Sequence, residues 1–200
     1  MKGIIKVEME TSWEKLKQYV HLRSGSIIPV TLKNGEQIEV EVCRDENRER
    51  FFVFKDCYKD RCQMNDDWTT EGGYEMSEGR KTALAFFDLL PDDLQAAIVP
   101  TKIVQVWNGE RHEMEDKLFM LSATQVFGKN EEREEQDVGD SQLDIFKRVR
   151  NRVKEWNGDT WIWWLRSAYN AGYFSVVNSN GREDRYSAYS TYGLVLGFRI

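Results

Sequence analysis

The chain has 200 residues, a length typical of one globular domain or of one domain with a small appendage. Aromatic residues make up 12% of the chain and hydrophobic residues 40%, which excludes a protein that is disordered throughout. The formal net charge of −6 disfavours overall electrostatic attraction to nucleic acid or to an anionic membrane. No run approaches the roughly 20 apolar residues of a membrane span, and no signal-peptide pattern follows Met1.

Residues 1–60 are predicted to form a helix and a small antiparallel sheet, as a subdomain or an appendage. At helical spacing, three apolar residues share one face: Trp13, Leu16 and Val20. Three strands are then predicted at residues 26–33, 38–42 and 50–56. Asn34-Gly35 separates the first two strands, and this dipeptide supplies the positive φ angles of a tight hairpin turn.

The middle of the chain predicts loops and helices. Residues 65–79 are polar and contain glycine, which indicates a loop. Within it, Ser77 can cap a helix that runs to about residue 90, and Pro91 can begin a shorter second helix. Residues 131–140 carry six acidic groups against one arginine, so we expect a solvated loop there.

Residues 141–156 show the clearest helical pattern in the chain. Apolar residues recur along one stripe, and five cations lie within residues 147–154. The cations raise the hypothesis of nucleic-acid contact. We favour a structural interpretation because the preceding acidic loop can neutralise them, and cations are favourable near a helix C-terminus.

The three cysteines, Cys43, Cys57 and Cys62, are too few and too unevenly spaced for a disulfide framework. A metal site that combines them with His21 is conceivable, but reduced and mostly buried thiols are the favoured interpretation. Acidic residues near position 115 alternate as in a solvated strand, so they do not indicate a calcium site. We therefore predict no metal and no cofactor.

The last forty residues differ from the rest of the chain. Residues 161–167 (WIWWLRS) predict a strand covered on two sides, and we interpret Arg166 as a structural arginine. Residues 168–191 are rich in Tyr, Ser, Asn, Ala and Gly, a composition typical of adaptable binding surfaces. A tyrosine-rich hairpin without any partner is the plainer alternative. A rigid framework is predicted from Trp161, Trp163, Leu165, Phe174, Val176, Leu194, Leu196 and Phe198.

The order of motifs in this region resembles that of a protein domain family found in phages and gut bacteria, which is known only as a domain of unknown function. The resemblance is carried by WWLRS, Phe174 with Val177, the NSNG run at residues 178–181, Tyr192-Gly193, and Gly197-Phe198. It extends upstream to about residue 60. The ending Gly-Phe-Arg also resembles the C-type-lectin-like fold of formylglycine-generating enzymes and of the variable proteins of diversity-generating retroelements.

This resemblance implies an α+β, C-type-lectin-like fold with several helices and short antiparallel sheets. Residues 61–200 would form the lectin-like domain, with a binding face at 167–193. The expected partner is a macromolecule, either a bacterial surface protein or a glycan, and oligomerisation stays open. Synthesis in the bacterial cytoplasm and assembly into a phage virion are the expected context. The candidate ligand-binding residues are Tyr169, Asn170, Tyr173, Asn178, Asn180, Arg182, Asp184, Arg185, Tyr186 and Tyr189.

Two other functions remain open. The protein could be a structural virion or assembly component that uses the sheet at residues 26–56 to dock or oligomerise. It could also be an enzyme related to formylglycine-generating enzymes, but no cysteine follows Cys62, and His21 and His112 are the only histidines. We therefore predict a binding protein and not an enzyme.

Overall fold

The computed structural model describes residues 12–16, 22–46, 49–130 and 136–200. Three sequence predictions fall outside these residues: Val20 on the helical face, His21 in the metal alternative, and residues 131–135 of the acidic loop.

The described residues contain short helices and strands throughout. The helices are α1 (Trp13–Leu16), α2 (Gly73–Met76), α3 (Glu78–Phe87), α4 (Asp92–Ala97) and α5 (Ala123–Phe127). The strands are β1 (Ile27–Thr31), β2 (Gln37–Glu46), β3 (Glu49–Phe54), β4 (Thr101–Trp107), β5 (Glu110–Asp116), β6 (Phe119–Met120), β7 (Lys154–Trp156), β8 (Asp159–Trp161), β9 (Trp163–Asn170), β10 (Tyr173–Val177), β11 (Glu183–Ser187) and β12 (Leu196–Arg199). The protein is therefore of the α+β class. None of the described helices is long and apolar enough to cross a membrane.

The largest sheet joins the two ends of the described chain. Its strand order is β1-β2-β3-β12-β6, and every neighbouring pair is antiparallel. Gly35, at φ +86°, lies in the predicted turn between β1 and β2. Phe52 of β3 stacks on Phe198 of β12 with ring centroids 5.2 Å apart, and Trp13 packs edge-on against both rings. The predicted boundary near residue 60 therefore falls between strands of one sheet.

A second sheet, in the order β11-β10-β9, carries the aromatic C-terminal region. Two further antiparallel hairpins pair β4 with β5 and β7 with β8. The predicted framework is confirmed as buried in seven of its eight residues. Trp161 is the exception, since it is half-buried at the end of β8 and packs against Trp156.

The helix predicted over residues 141–156 is wrong. The chain instead forms two short 3-10 helices, Asp144–Lys147 and Val149–Asn151, and then enters β7. Lys154 is buried, and its Nζ donates to the backbone oxygens of Phe54 and Lys55, while Val149 is exposed. Tertiary pairing has overridden the local helical pattern, because a continuous helix could not make these contacts.

Arg166 is confirmed as a structural arginine. Its guanidinium is buried and donates to the Met120 backbone oxygen at 2.9 Å, to Gln125 Oε1 at 2.8 Å and to Asp140 Oδ2 at 2.5 Å. Asp137 is also buried, so the prediction of a solvated loop is wrong at this residue, whereas Gly139 is exposed as predicted. A planar, multidentate donor suits this position because it can bind several acceptors at once.

Arg166→Met is expected to lower the free energy of unfolding by about 3–5 kcal/mol, because Asp140 loses its buried partner. Urea unfolding measures this difference. Arg185→Met serves as the matched control, since Arg185 is exposed, and should change stability by less than about 1 kcal/mol. Equal losses in both variants would contradict the role assigned to Arg166.

Candidate functional site

The ten predicted binding residues are spread over both ends of the β9-β10-β11 sheet. One group lies at the turn between β9 and β10 or near it: Tyr169, Asn170, Tyr173 and Tyr189. A second group lies at the turn between β10 and β11: Asn178, Asn180 and Arg182. The remaining three follow along β11: Asp184, Arg185 and Tyr186. The five residues of β10 separate the two turns by roughly 13 Å, so one small ligand would not contact every predicted residue.

The first of these ends is built from three chain segments, residues 63–72, 170–173 and 187–190, which we call the loop cluster. Backbone hydrogen bonds join the segments to one another. The amide of Thr70 donates to the Ala171 oxygen at 2.9 Å, and that of Ala188 donates to the Gly172 oxygen at 3.0 Å. The amide of Met64 in turn donates to the Ala188 oxygen at 2.9 Å. The loops are therefore held as one unit beside the buried sheet.

The loop cluster and the adjoining end of β9 expose large aromatic side chains. Trp68 is 55% exposed, Tyr189 51% and Tyr169 42%, and these are the exposed aromatic residues of the described chain. Trp68 lies against the backbone of Gly172. A Cβ atom added to Gly172 would lie 2.7 Å from the Cε2 atom of Trp68. Exposed aromatic groups held on a fixed backbone can make large contacts with little loss of conformational freedom.

Trp68 was missed by the sequence prediction. It lies in the polar segment 65–79, directly after two aspartates, where the sequence pattern indicates an ordinary loop. A lone tryptophan in a polar, glycine-bearing segment is the signal that could have identified it, because loops on a fixed scaffold often carry binding residues.

A cleft of about 280 Å³ lies beside Tyr169. The Arg185 guanidinium stands over the Tyr169 ring, 3.8 Å from its centroid. Among the described residues, Arg185 forms no ion pair with a carboxylate. The other lining residues are Ala123, Asn130, Gln136, Ser175, Glu183 and Asp184. Arg185 and Tyr169 thus form a charged and aromatic wall of the cleft, and polar groups of neighbouring segments line the rest.

Other predicted residues have structural contacts. Asn170 Oδ1 accepts hydrogen bonds from the amides of Gly172 and Tyr173. Asn178 Oδ1 accepts in the same way from two amides of the opposite turn. Both side chains shape turns. Tyr186 packs inward against Tyr192, with ring centroids 4.8 Å apart.

A buried polar network lies beside the cleft. Ser167 Oγ donates to the Asp137 carboxylate at 2.8 Å and accepts from the Ala123 amide at 2.8 Å. The Thr124 amide also donates to Asp137. Burial raises the pKa of the Asp137 carboxyl, and the nearby positive charge of Arg166 opposes this shift. The network ties α5 to β9 and so fixes one side of the cleft.

Cys57 and Cys62 do not have the environment of nucleophiles. Burial raises the pKa of the Cys57 and Cys62 thiols to about 12, so both are protonated at neutral pH. Within the described residues, no three His, Cys, Asp or Glu side chains lie close enough to hold a metal ion.

A family model described as "Domain of unknown function (DUF6273)" matches residues 48–198. The chain belongs to this family. No curated protein and no solved structure matches the chain. The DUF6273 match includes the loop cluster, the cleft and the polar network.

The Asp137→Asn variant tests the polar network through the pH dependence of the free energy of unfolding. The pKa of Asp137 is higher in the folded protein than in the unfolded chain, where it is about 3.9. The protonated carboxyl therefore contributes stability that is fully present below about pH 3.9. This contribution is lost as the pH rises through the folded pKa. Asn cannot titrate, so the stability of the variant relative to wild type should increase as the pH rises above about 4 toward neutral pH. Urea unfolding across this range measures the difference.

Asp60→Asn is the control for this experiment, because Asp60 is exposed and its substitution should change the free energy of unfolding by less than about 0.5 kcal/mol. A pH-independent difference for Asp137→Asn would contradict the assignment of a buried carboxyl.

Proposed function

We propose that this DUF6273 protein is a ligand- or receptor-binding protein of phage or prophage type that presents the loop cluster to a macromolecule on a bacterial surface. The C-type-lectin-like scaffold is part of this proposal and rests on the motif resemblance of the C-terminal region. The phage context rests on the same resemblance. The binding role also has independent support from the exposed side chains.

The observation that carries the binding role is the placement of Trp68, Tyr169 and Tyr189. Large exposed aromatics are uncommon on a surface without a partner, and in this protein they lie on adjoining segments at one end of one sheet. Tryptophan and tyrosine are also the residues that most often dominate binding energy at protein interfaces. The arrangement therefore favours a binding surface over a hairpin without a partner.

The supporting scaffold explains how such a surface can bind. Trp164 of β9, Phe174 of β10 and Tyr74 of α2 are fully buried, and the loops are joined by backbone hydrogen bonds. Little ordering is then needed on association, which removes part of the entropic penalty of binding. The Arg185 guanidinium adds a charged group whose position is set by the Tyr169 ring.

The triple variant Trp68→Ala/Tyr169→Ala/Tyr189→Ala tests the proposal. The fluorescently labelled protein is titrated onto a panel of intact gut-bacterial strains, and cell-bound fluorescence is measured by flow cytometry. Loss of the aromatic contacts should weaken binding by at least about 30-fold, as expected when one or more dominant contacts of about 2 kcal/mol are lost.

The matched control is Leu84→Ala/Val149→Ala, which also removes exposed hydrophobic side chains but leaves the loop cluster intact. It should bind as the wild type does, and both variants should retain the native circular dichroism spectrum. The proposal is wrong if the aromatic triple variant keeps the wild-type affinity, or if the native protein binds no strain of the panel.

A further inference from the structure

A second, larger groove lies outside the loop cluster. Its volume is about 530 Å³, within the range of small-molecule sites. The β1-β2 hairpin, the segment after β3 and the β7-β8 turn form its walls, and it shares no lining residue with the cleft beside Tyr169. The lining side chains that bear on recognition are Glu36, Gln37, Glu39, Asp56, Lys59 and Trp156.

The charges in the groove are already paired with one another. Lys59 Nζ forms an ion pair with Glu36, and Lys55 Nζ lies 3.1 Å from Glu39 and 2.9 Å from Asp56. A cationic ligand would have to compete with these lysines for the carboxylates. An anionic ligand would face three carboxylates. The pairing therefore favours an uncharged ligand.

The polar groups are also held in place before any ligand arrives. Tyr58 and Asn34 both donate hydrogen bonds to Glu36, whose pKa is lowered by hydrogen bonds from Lys59 and Tyr58. Asp56 Oδ1 accepts from the Glu155 amide at 3.0 Å. The lowered pKa keeps Glu36 ionised at neutral pH, and carboxylate oxygens of this kind accept hydrogen bonds from hydroxyl donors.

An aromatic ring completes the groove. Trp156 Nε1 donates to the Lys59 backbone oxygen at 2.8 Å, and the Arg61 guanidinium stands 4.5 Å from the Trp156 ring centroid. Trp161 packs on the same ring with centroids 5.0 Å apart. These contacts fix the tryptophan. The part of the ring that lines the groove offers an aromatic surface to polarised C–H groups, such as those on one face of a sugar ring.

We propose that this groove binds a neutral saccharide. The C–H face of a sugar ring would pack on Trp156, and its hydroxyls would donate to the carboxylates of Glu36, Glu39 and Asp56 and accept from the amide of Gln37 and from Lys59. An apolar molecule of the same size would desolvate the ion pairs without replacing their contacts with water. A saccharide satisfies both the aromatic and the polar parts of the lining.

The experiment compares one sugar ring in three charge states. The full chain is titrated with the methyl glycosides of glucose and N-acetylglucosamine, with glucosamine as the cationic ring and with glucuronate as the anionic ring. Isothermal titration calorimetry and tryptophan fluorescence measure binding up to about 20 mM ligand, where dissociation constants in the millimolar range are resolved. We expect saturable binding of at least one neutral glycoside, with both charged rings bound about tenfold more weakly.

Variants locate the binding to the groove. Trp156→Ala should weaken binding by at least about tenfold. Gln37→Ala/Glu39→Ala removes two exposed polar groups from β2 and should give a similar loss without unfolding the chain. The Trp68→Ala/Tyr169→Ala/Tyr189→Ala variant should bind the sugar as wild type does, so this test is independent of the function proposed above.

The proposal is overturned if no neutral glycoside binds saturably, if a charged ring binds more tightly than its neutral counterpart, or if both groove variants retain the wild-type affinity. Thermal melting of each variant separates loss of binding from loss of fold, and the β2 double variant decides the result if Trp156→Ala unfolds.

Discussion

The buried guanidinium of Arg166 is the interaction on which much of the structure depends. Its guanidinium donates to the Met120 backbone oxygen of β6, to the Gln125 side chain of α5 and to the carboxylate of Asp140. It therefore joins three segments that have no sheet pairing with β9. A buried charge of this kind is tolerated only when its donors are satisfied, and this requirement restricts how the surrounding segments can pack. Ser167 extends the same constraint to Asp137 and the start of α5.

The closing strand imposes a second constraint. β12 lies between β3 and β6, so the five-stranded sheet is complete only when the last residues of the chain are in place. Gly197 of β12 pairs with Val53, and an added Cβ there would lie 2.8 Å from the Phe51 ring. Close approach of these strands therefore requires glycine at this position. Such long-range pairing makes the fold depend on contacts between distant parts of the sequence.

The two candidate sites expose different chemistry. The loop cluster exposes aromatic side chains outward from one end of the smaller sheet, as expected for contact with a large surface. The groove at β1, β2 and β7 instead surrounds a volume with paired charges and one fixed tryptophan, as expected for a small polar ligand. Both arrangements rest on buried neighbours, because exposed groups bind well only when their supports are fixed.

The sequence alone determined the Asn34-Gly35 turn, most of the buried C-terminal framework and the structural role of Arg166, because each depends on local turn chemistry or on strong apolar patterning. The α+β class followed from the motif resemblance. Only the tertiary structure decided that residues 141–156 are not one helix, that Asp137 is buried, and that the predicted binding residues divide between two turns. It also brought Trp68 beside Gly172, about a hundred residues away in sequence. Long-range pairing and burial decide such features, and neither is encoded in the spacing of neighbouring residues.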